Sequence, residues 1–278
     1  MLLGALGGEP RTASAHDPLG RPIEAGFVLL RDGTEAAVEV AAASGLALVD
    51  PDERDPERAS SAGTGELIAA ATAAGARRIL VAAGGSATTD GGRGAINAIE
   101  AAGGLGDARL EVLCDTTIPY ERAAEVFAPQ KGAAPEQVQS LTSRLVAEAG
   151  ALPRDPRGRT MTGAAGGLSG GLWAAFGAHL TPGAAFVLGV VGFDRRLEDA
   201  DAVITGEGRL DAQSREGKLT GQVARRCRAA RVPAHAIAGE VALSPDEAER
   251  LGFGSVQEAG TPEAIHDAAE RIAAFGRR

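Results

Sequence analysis

The stretch RILVAAGGSATTDGGRGAINAIEAA, residues 78–102, decides how the rest of the chain is read. Its first part, Arg78 to Ala83, is an apolar run of strand length, and Ala95 to Ala102 carries apolar residues at helical spacing. Between them stand Gly84, Gly85, Gly91, Gly92 and Gly94, with Ser86, Thr88, Thr89, Asp90 and Arg93. A strand that turns through glycines into a helix gathers backbone N–H groups at the helix N-terminus, a place that favours an anion.

Upstream, Arg11 to Val40 alternates short apolar runs with the turn signals of residues 17–20 and 31–33, which predicts antiparallel strands. A helix is predicted from Thr64 to Ala73, closed by Gly75. Downstream, Leu110 to Cys114 reads as a second strand ending in Asp115, and Pro135 to Ala149 as an amphipathic helix. An Arg- and Pro-rich loop (153–159), a glycine-dense stretch (163–171) and a helix through Phe176 come next. The last third runs strand (202–205), polar glycine turn, helix (220–230), strand (234–238) and closing helix (262–274). Strands separated by single helices predict an α/β fold with a parallel sheet; the length fits one large domain or two, and two are expected.

The net charge of −9 is spread along the chain, and no basic stripe interleaved with aromatics occurs, so nucleic acid is not an expected partner. The first eight residues lack the basic region and the apolar length of a signal peptide, and the longest apolar run elsewhere, Ala184 to Val191, is short of a bilayer span. A cytoplasmic protein is expected, with no membrane partner. Cys114 and Cys227 are the only cysteines and show no metal-ligand spacing, so they read as buried thiols.

Four polar stretches fall at predicted strand or helix ends: residues 84–94, 127–133, 162–167, and 205–214 followed by Gly217 and Lys218. Ligands of open α/β sheets bind beyond the carboxyl ends of strands, so these turns are the places to look. Lysine usage singles out two of them. All basic residues but Lys131 and Lys218 are arginine, and both lysines stand beside a glycine inside these stretches. A compact ammonium suits phosphate as a point charge, where guanidinium is a wider fork. Asp90, Glu207 and Asp211 are the carboxylates that could hold Mg2+ together with substrate phosphates, or take a proton from an attacking hydroxyl. Asp90 could equally cap the helix that follows it. Neither the P-loop nor a completed G-x-G-x-x-G is present, and H-E-x-x-H is absent; phosphoryl transfer outside the P-loop class is favoured over hydrolysis.

Six pieces, taken in order, resemble the glycerate kinase family that includes the bacterial glycerate 2-kinases. They are residues 42–46 (AASGL), 63–67 (GTGEL), 84–92 (GGSATTDGG), 129–132 (PQKG), 163–167 (GAAGG), and 205–214 (TGEGRLDAQS) with Gly217-Lys218. The likeness runs from about Leu6 to the C-terminus. It implies ATP-dependent phosphorylation of glycerate with Mg2+, to 2-phosphoglycerate or alternatively 3-phosphoglycerate, on two α/β domains. The mixed-sheet domain (1–200) would be inserted into a flavodoxin-like parallel-sheet domain, of which 201–278 is the C-terminal part.

By the same resemblance the family opens with a strand, a lysine-bearing turn and a glycine loop, ahead of the point where this sequence starts. Roughly sixty to seventy residues of the pattern are expected to be missing on the scale of a typical domain, with activity impaired. Thr116 to Tyr120 also departs from the family, which puts Thr117 and Ile118 in doubt as site residues.

The expected site has Asp90, Lys131 and Asp211 in catalysis. Gly84, Gly85, Ser86, Thr88, Gly166, Gly167, Arg209, Gln213 and Lys218 are expected on substrate or phosphate, and Asp90, Glu207 and Asp211 on the metal. Arg209 is expected to grip the glycerate carboxylate or the γ-phosphate. The rival reading is a non-catalytic phosphate- or organic-acid-binding protein derived from a kinase.

Overall fold

The computed structural model describes residues 6–211 and 219–275. They form two units, Met1–Gly183 and Ala184–Arg278, each with its own sheet.

The first unit is built on six strands: β1 (Glu9–His16), β2 (Pro22–Leu30), β3 (Glu35–Glu39), β4 (Arg78–Ala82), β5 (Arg109–Cys114) and β6 (His179–Pro182). They lie in sheet order β1-β2-β3-β4-β5-β6. The predicted antiparallel start is present as β1–β2–β3, and from β3 onward all pairs are parallel. Parallel strands need crossovers, and helices α1 (Ala62–Ala73), α2 (Arg93–Ala101), α3 (Pro135–Ala149) and α4 (Leu168–Phe176) lie in those connections. The alternation read in the apolar runs becomes burial. Val38, Ile79, Val81 and Val112 meet Leu67, Ile68, Ile99, Leu168 and Leu172 in one core. A satellite cluster of Tyr120, Ala123, Ala124, Leu141 and Leu145 anchors α3 and the short segment Pro129–Lys131 that precedes it.

The second unit holds a three-stranded parallel sheet, β7 (Val203–Leu210), β8 (Ala234–Val241) and β9 (Ser255–Glu258), in that order. Helices α5 (Leu219–Ala230), α6 (Pro245–Leu251) and α7 (Pro262–Phe275) follow its strands, and two shorter helices, Gly183–Val190 and Phe193–Leu197, precede β7. Leu210, Val223, Ala224, Cys227, Ala236 and Phe253 form the core on one face, and Ile237 packs with Ala268 and Ile272 on the other. The architecture is the α/β class expected, a mixed sheet and a separate smaller parallel sheet. The two compact units divide at Gly183–Ala184, and Leu188 and Leu197 are buried in the second core. Both cysteines are buried thiols. Among the described residues no helix is long and apolar enough to cross a membrane.

Candidate active site

The turn leaving β4 is fixed by its neighbours before any ligand is considered. Leu46 donates its backbone N–H to the Gly85 carbonyl (2.8 Å), and Ala87 donates to the Ser44 carbonyl (2.9 Å). Gly84 and Gly85 face solvent, and a Cβ built at Gly84 would meet nothing within 4 Å. Ser86, Thr88, Thr89 and Asp90, immediately after, are buried. The turn therefore has an open glycine lip on a buried polar floor.

Lys131 belongs to that floor. It is 6 % exposed, and its Nζ donates to Ser86 Oγ (3.0 Å) and to the Thr88 carbonyl (2.5 Å). Burial pulls its pKa down from the ordinary 10.5 to about 8, while the nearby carboxylates Asp90 and Asp115 pull the other way. Asp115 ends β5, the strand beside β4, and is exposed. The unfolded lysine holds its proton up to the ordinary value. Between about pH 8 and pH 10.5 the unfolded chain thus carries the extra proton, and this group makes the fold more stable as pH rises through that window.

Asp90 is placed differently from a free metal ligand. Its Oδ2 accepts from Ser61 N (2.8 Å), Ser61 Oγ (2.8 Å) and Gly94 N (3.1 Å), and its Oδ1 accepts from Gly92 N (3.1 Å). Ser61 in turn accepts from Ala95 N at 3.0 Å. One carboxylate joins the start of α1 to the start of α2, which is the capping alternative realised with two helices. Three of its four hydrogen bonds fall on Oδ2 and one on Oδ1, so most of its acceptor capacity is taken up by N–H and O–H donors.

Gly166 and Gly167 also lie beneath the turn and not at its lip. Gly91 donates to the Gly166 carbonyl (3.1 Å), and Gly166 has a left-handed backbone, φ +66°, pressed so close that a Cβ would overlap the Thr88 carbonyl. These glycines seat the turn by close packing. Arg144 of α3 adds a further tie, donating to the carbonyls of Thr89 (3.0 Å) and Glu57 (2.8 Å).

In the second unit, Glu207 accepts a 2.6 Å hydrogen bond from Thr220 Oγ1. Arg209 is ion-paired with Glu240 (3.2 Å) and lies 3.7 Å from Asp211. Its guanidinium is thus already occupied by carboxylates. Residues Ile204 to Gly208 of β7 border a cleft of about 540 Å3 whose lining also includes Gly239, Ile237 and Ile265. Gln213 and Lys218 lie outside the described residues. Among the described residues no three His, Cys, Asp or Glu side chains converge as a metal site. Burial pushes the Cys114 thiol up to about 12, which removes it as a nucleophile.

A family model described as "Glycerate kinase family" matches residues 1–103 and 100–277. The glycerate kinase of Bacillus subtilis (strain 168) is 37% identical over 318 aligned residues, covering 100% of this chain and 82% of its own. The glycerate 2-kinase of Escherichia coli (strain K12) is 35% identical, covering 86% of this chain and 72% of its own. A crystal structure described as glycerate kinase 2 from Salmonella typhimurium LT2 superposes with a TM-score of 0.70 at 33% identity, over 99% of this chain and 83% of its own. The chain belongs to the glycerate kinase family.

It is a kinase, and the rival of a non-catalytic binding protein loses its support. The B. subtilis alignment is longer than the 278-residue chain, so that glycerate kinase carries residues that have no counterpart here. The two family-model segments meet at residues 100–103, the turn from α2 to β5. That turn precedes β5, whereas the Gly84–Gly92 turn follows β4, which runs parallel to β5. A parallel pair puts these turns at opposite ends of the sheet.

If the protonated ammonium of Lys131 is the working form, kcat/KM of this glycerate kinase falls as pH rises through about 8. A pH–rate profile checks this, with the residual activity of Lys131→Arg expected to lack the alkaline limb. Sequence reasoning reached Lys131 through its composition signal. It missed Ser61 and Arg144, whose partners lie far away along the chain and leave no local pattern.

Proposed function

We propose that the protein transfers the γ-phosphoryl group of ATP to glycerate, forming 2-phosphoglycerate, with 3-phosphoglycerate as the alternative product. The observation that carries this reading is the buried Lys131 ammonium clamped onto Ser86 and Thr88 beneath the open Gly84–Gly85 lip. The names of the relatives support glycerate as the acceptor.

Phosphoryl transfer asks a protein mainly for positioning and charge compensation. Gly84 and Gly85, bare of side chains, let anionic oxygens approach the backbone. Lys131 holds the turn in shape and supplies fixed positive charge below it. Asp115, close enough to Lys131 to favour its charged form, is the carboxylate suited to take the proton of the attacking hydroxyl. Asp90, with all its donors in place, keeps two helix starts together.

Mg2+ would find hard oxygen donors in Glu207 and Asp211, and when bound would offset charge on the phosphate oxygens. Arg209, Gln213 and Lys218 are assigned to phosphate on the family likeness alone. The accompanying domain reading takes the first unit as the inserted domain and the second as part of a flavodoxin-like one, in a cytoplasmic enzyme.

The test couples ADP release to NADH oxidation with D-glycerate, ATP and Mg2+, and identifies the product by 31P NMR. ADP release that needs glycerate, stops with EDTA and gives a phosphorus coupled to a single C2 proton is the expected result. ADP release indifferent to glycerate overturns the reading.

A further inference from the structure

Arg209, the arginine that the sequence offers for the substrate carboxylate, is already paired with carboxylates of its own unit. A different arginine, Arg54, stands over Gly132, the residue after Lys131. It is half-buried, its Nε is buried, and among the described residues it makes no hydrogen bond or ion pair.

Its backbone neighbourhood is nevertheless held on several sides. Glu53 pairs with Arg21 (2.9 Å), Ala59 N donates to the Asp55 carbonyl (2.9 Å), and Glu57 accepts from Gln137 (3.3 Å). The stem of Arg54 lies over Gly132, where a Cβ would come within 3.3 Å of the arginine Cβ, and Gly132 follows Lys131 directly. Three more buried atoms nearby have no hydrogen-bond partner among the described residues: the Oγ1 atoms of Thr88 and Thr89, both residues 0 % exposed, and the Nε of Arg144, whose terminal nitrogens bond the carbonyls of Thr89 and Glu57. Buried polar atoms are nearly always paired, so an arginine Nε and two hydroxyls left open on the segments that Lys131 ties together mark a place suited to an anionic, oxygen-rich ligand.

We propose that Arg54 is the carboxylate-binding residue for glycerate and sets the selectivity of this kinase for an acid over a neutral alcohol. The planar fork matches a planar carboxylate in a way a point charge does not, and a carboxylate held there fixes the adjacent C2 hydroxyl. This rests on the glycerate kinase reading above. The other source of the same anionic chemistry is a nucleotide phosphate, and the experiment separates the two.

The full chain is assayed as wild type, Arg54→Gln and Arg54→Lys, with D-glycerate and with glyceramide, its neutral amide, and each variant's thermal midpoint is recorded. For Arg54→Gln the expected result is a KM for glycerate raised about 100-fold, the scale for losing one side of a desolvated charge pair, with the KM for ATP within about twofold. The preference for glycerate over glyceramide collapses in that variant and returns in part with Arg54→Lys.

An unchanged KM for glycerate overturns the proposal, and so does a rise confined to ATP, which would make the ligand a nucleotide phosphate. Calorimetric binding of glycerate alone distinguishes the two levels of failure. A wild type that phosphorylates glycerate while Arg54→Gln binds it equally well defeats only the role of Arg54. A wild type that neither binds nor phosphorylates glycerate defeats the functional reading and this inference together.

Discussion

Replacing Lys131 by alanine is expected to lower kcat of the glycerate-dependent reaction by about 100- to 1,000-fold, the range for removing one preorganised donor that stabilises developing negative charge. The side chain is buried and bonded to Ser86 Oγ and the Thr88 carbonyl, so alanine removes the charge and both supports of the turn at once. Lys131→Arg is expected to be nearly as damaging, although it keeps the charge. The pocket that closes over a compact ammonium has no room for a planar fork with donors in fixed directions. Steady-state kinetics beside a thermal melt check this. An arginine variant with unaltered kcat and unaltered KM for ATP would make the lysine a replaceable structural cation.

The second large effect falls on stability, at Asp90. Near-isosterism suggests that asparagine is harmless there, and asparagine is as good a helix cap as aspartate in general. The geometry argues otherwise, because both carboxylate oxygens face donors. An asparagine can present one oxygen, and its amide must then point N–H at N–H. Asp90→Asn is expected to cost about 2–3 kcal/mol, the scale of a buried group left unsatisfied. Asp90→Ala is expected to cost about 3–5 kcal/mol, since it also leaves the Lys131 charge buried without its neighbouring carboxylate. Urea unfolding followed by circular dichroism measures both. An Asp90→Asn variant with an unchanged midpoint but a large loss of rate would move the carboxylate from the frame of the turn to the chemistry.

Local pattern and distant packing divided the work of specifying this protein. The strand–glycine–helix passage at 78–102 was legible because strand period, helix period and glycine punctuation are properties of neighbours in sequence. The same local rules found α3 and the strand–helix alternation of the second unit. Composition found Lys131, through the rarity of lysine in an arginine-rich chain. The strands β6 and β9, each four residues long, escaped notice because so short a run carries no period.

Which groups Asp90 and Lys131 touch was decided only by tertiary structure. Lys131 reaches a turn far upstream along the chain, and Asp90 accepts from a serine at the start of another helix. Neither contact follows from spacing, since the sheet order brings those segments together. Arg54 is the extreme case. In the sequence it sits in the charged run 50–56, which reads as a solvated loop. Only the folded chain lays its stem on Gly132 and leaves its guanidinium unpaired, because burial and the absence of a partner are properties of a three-dimensional neighbourhood that no linear pattern encodes.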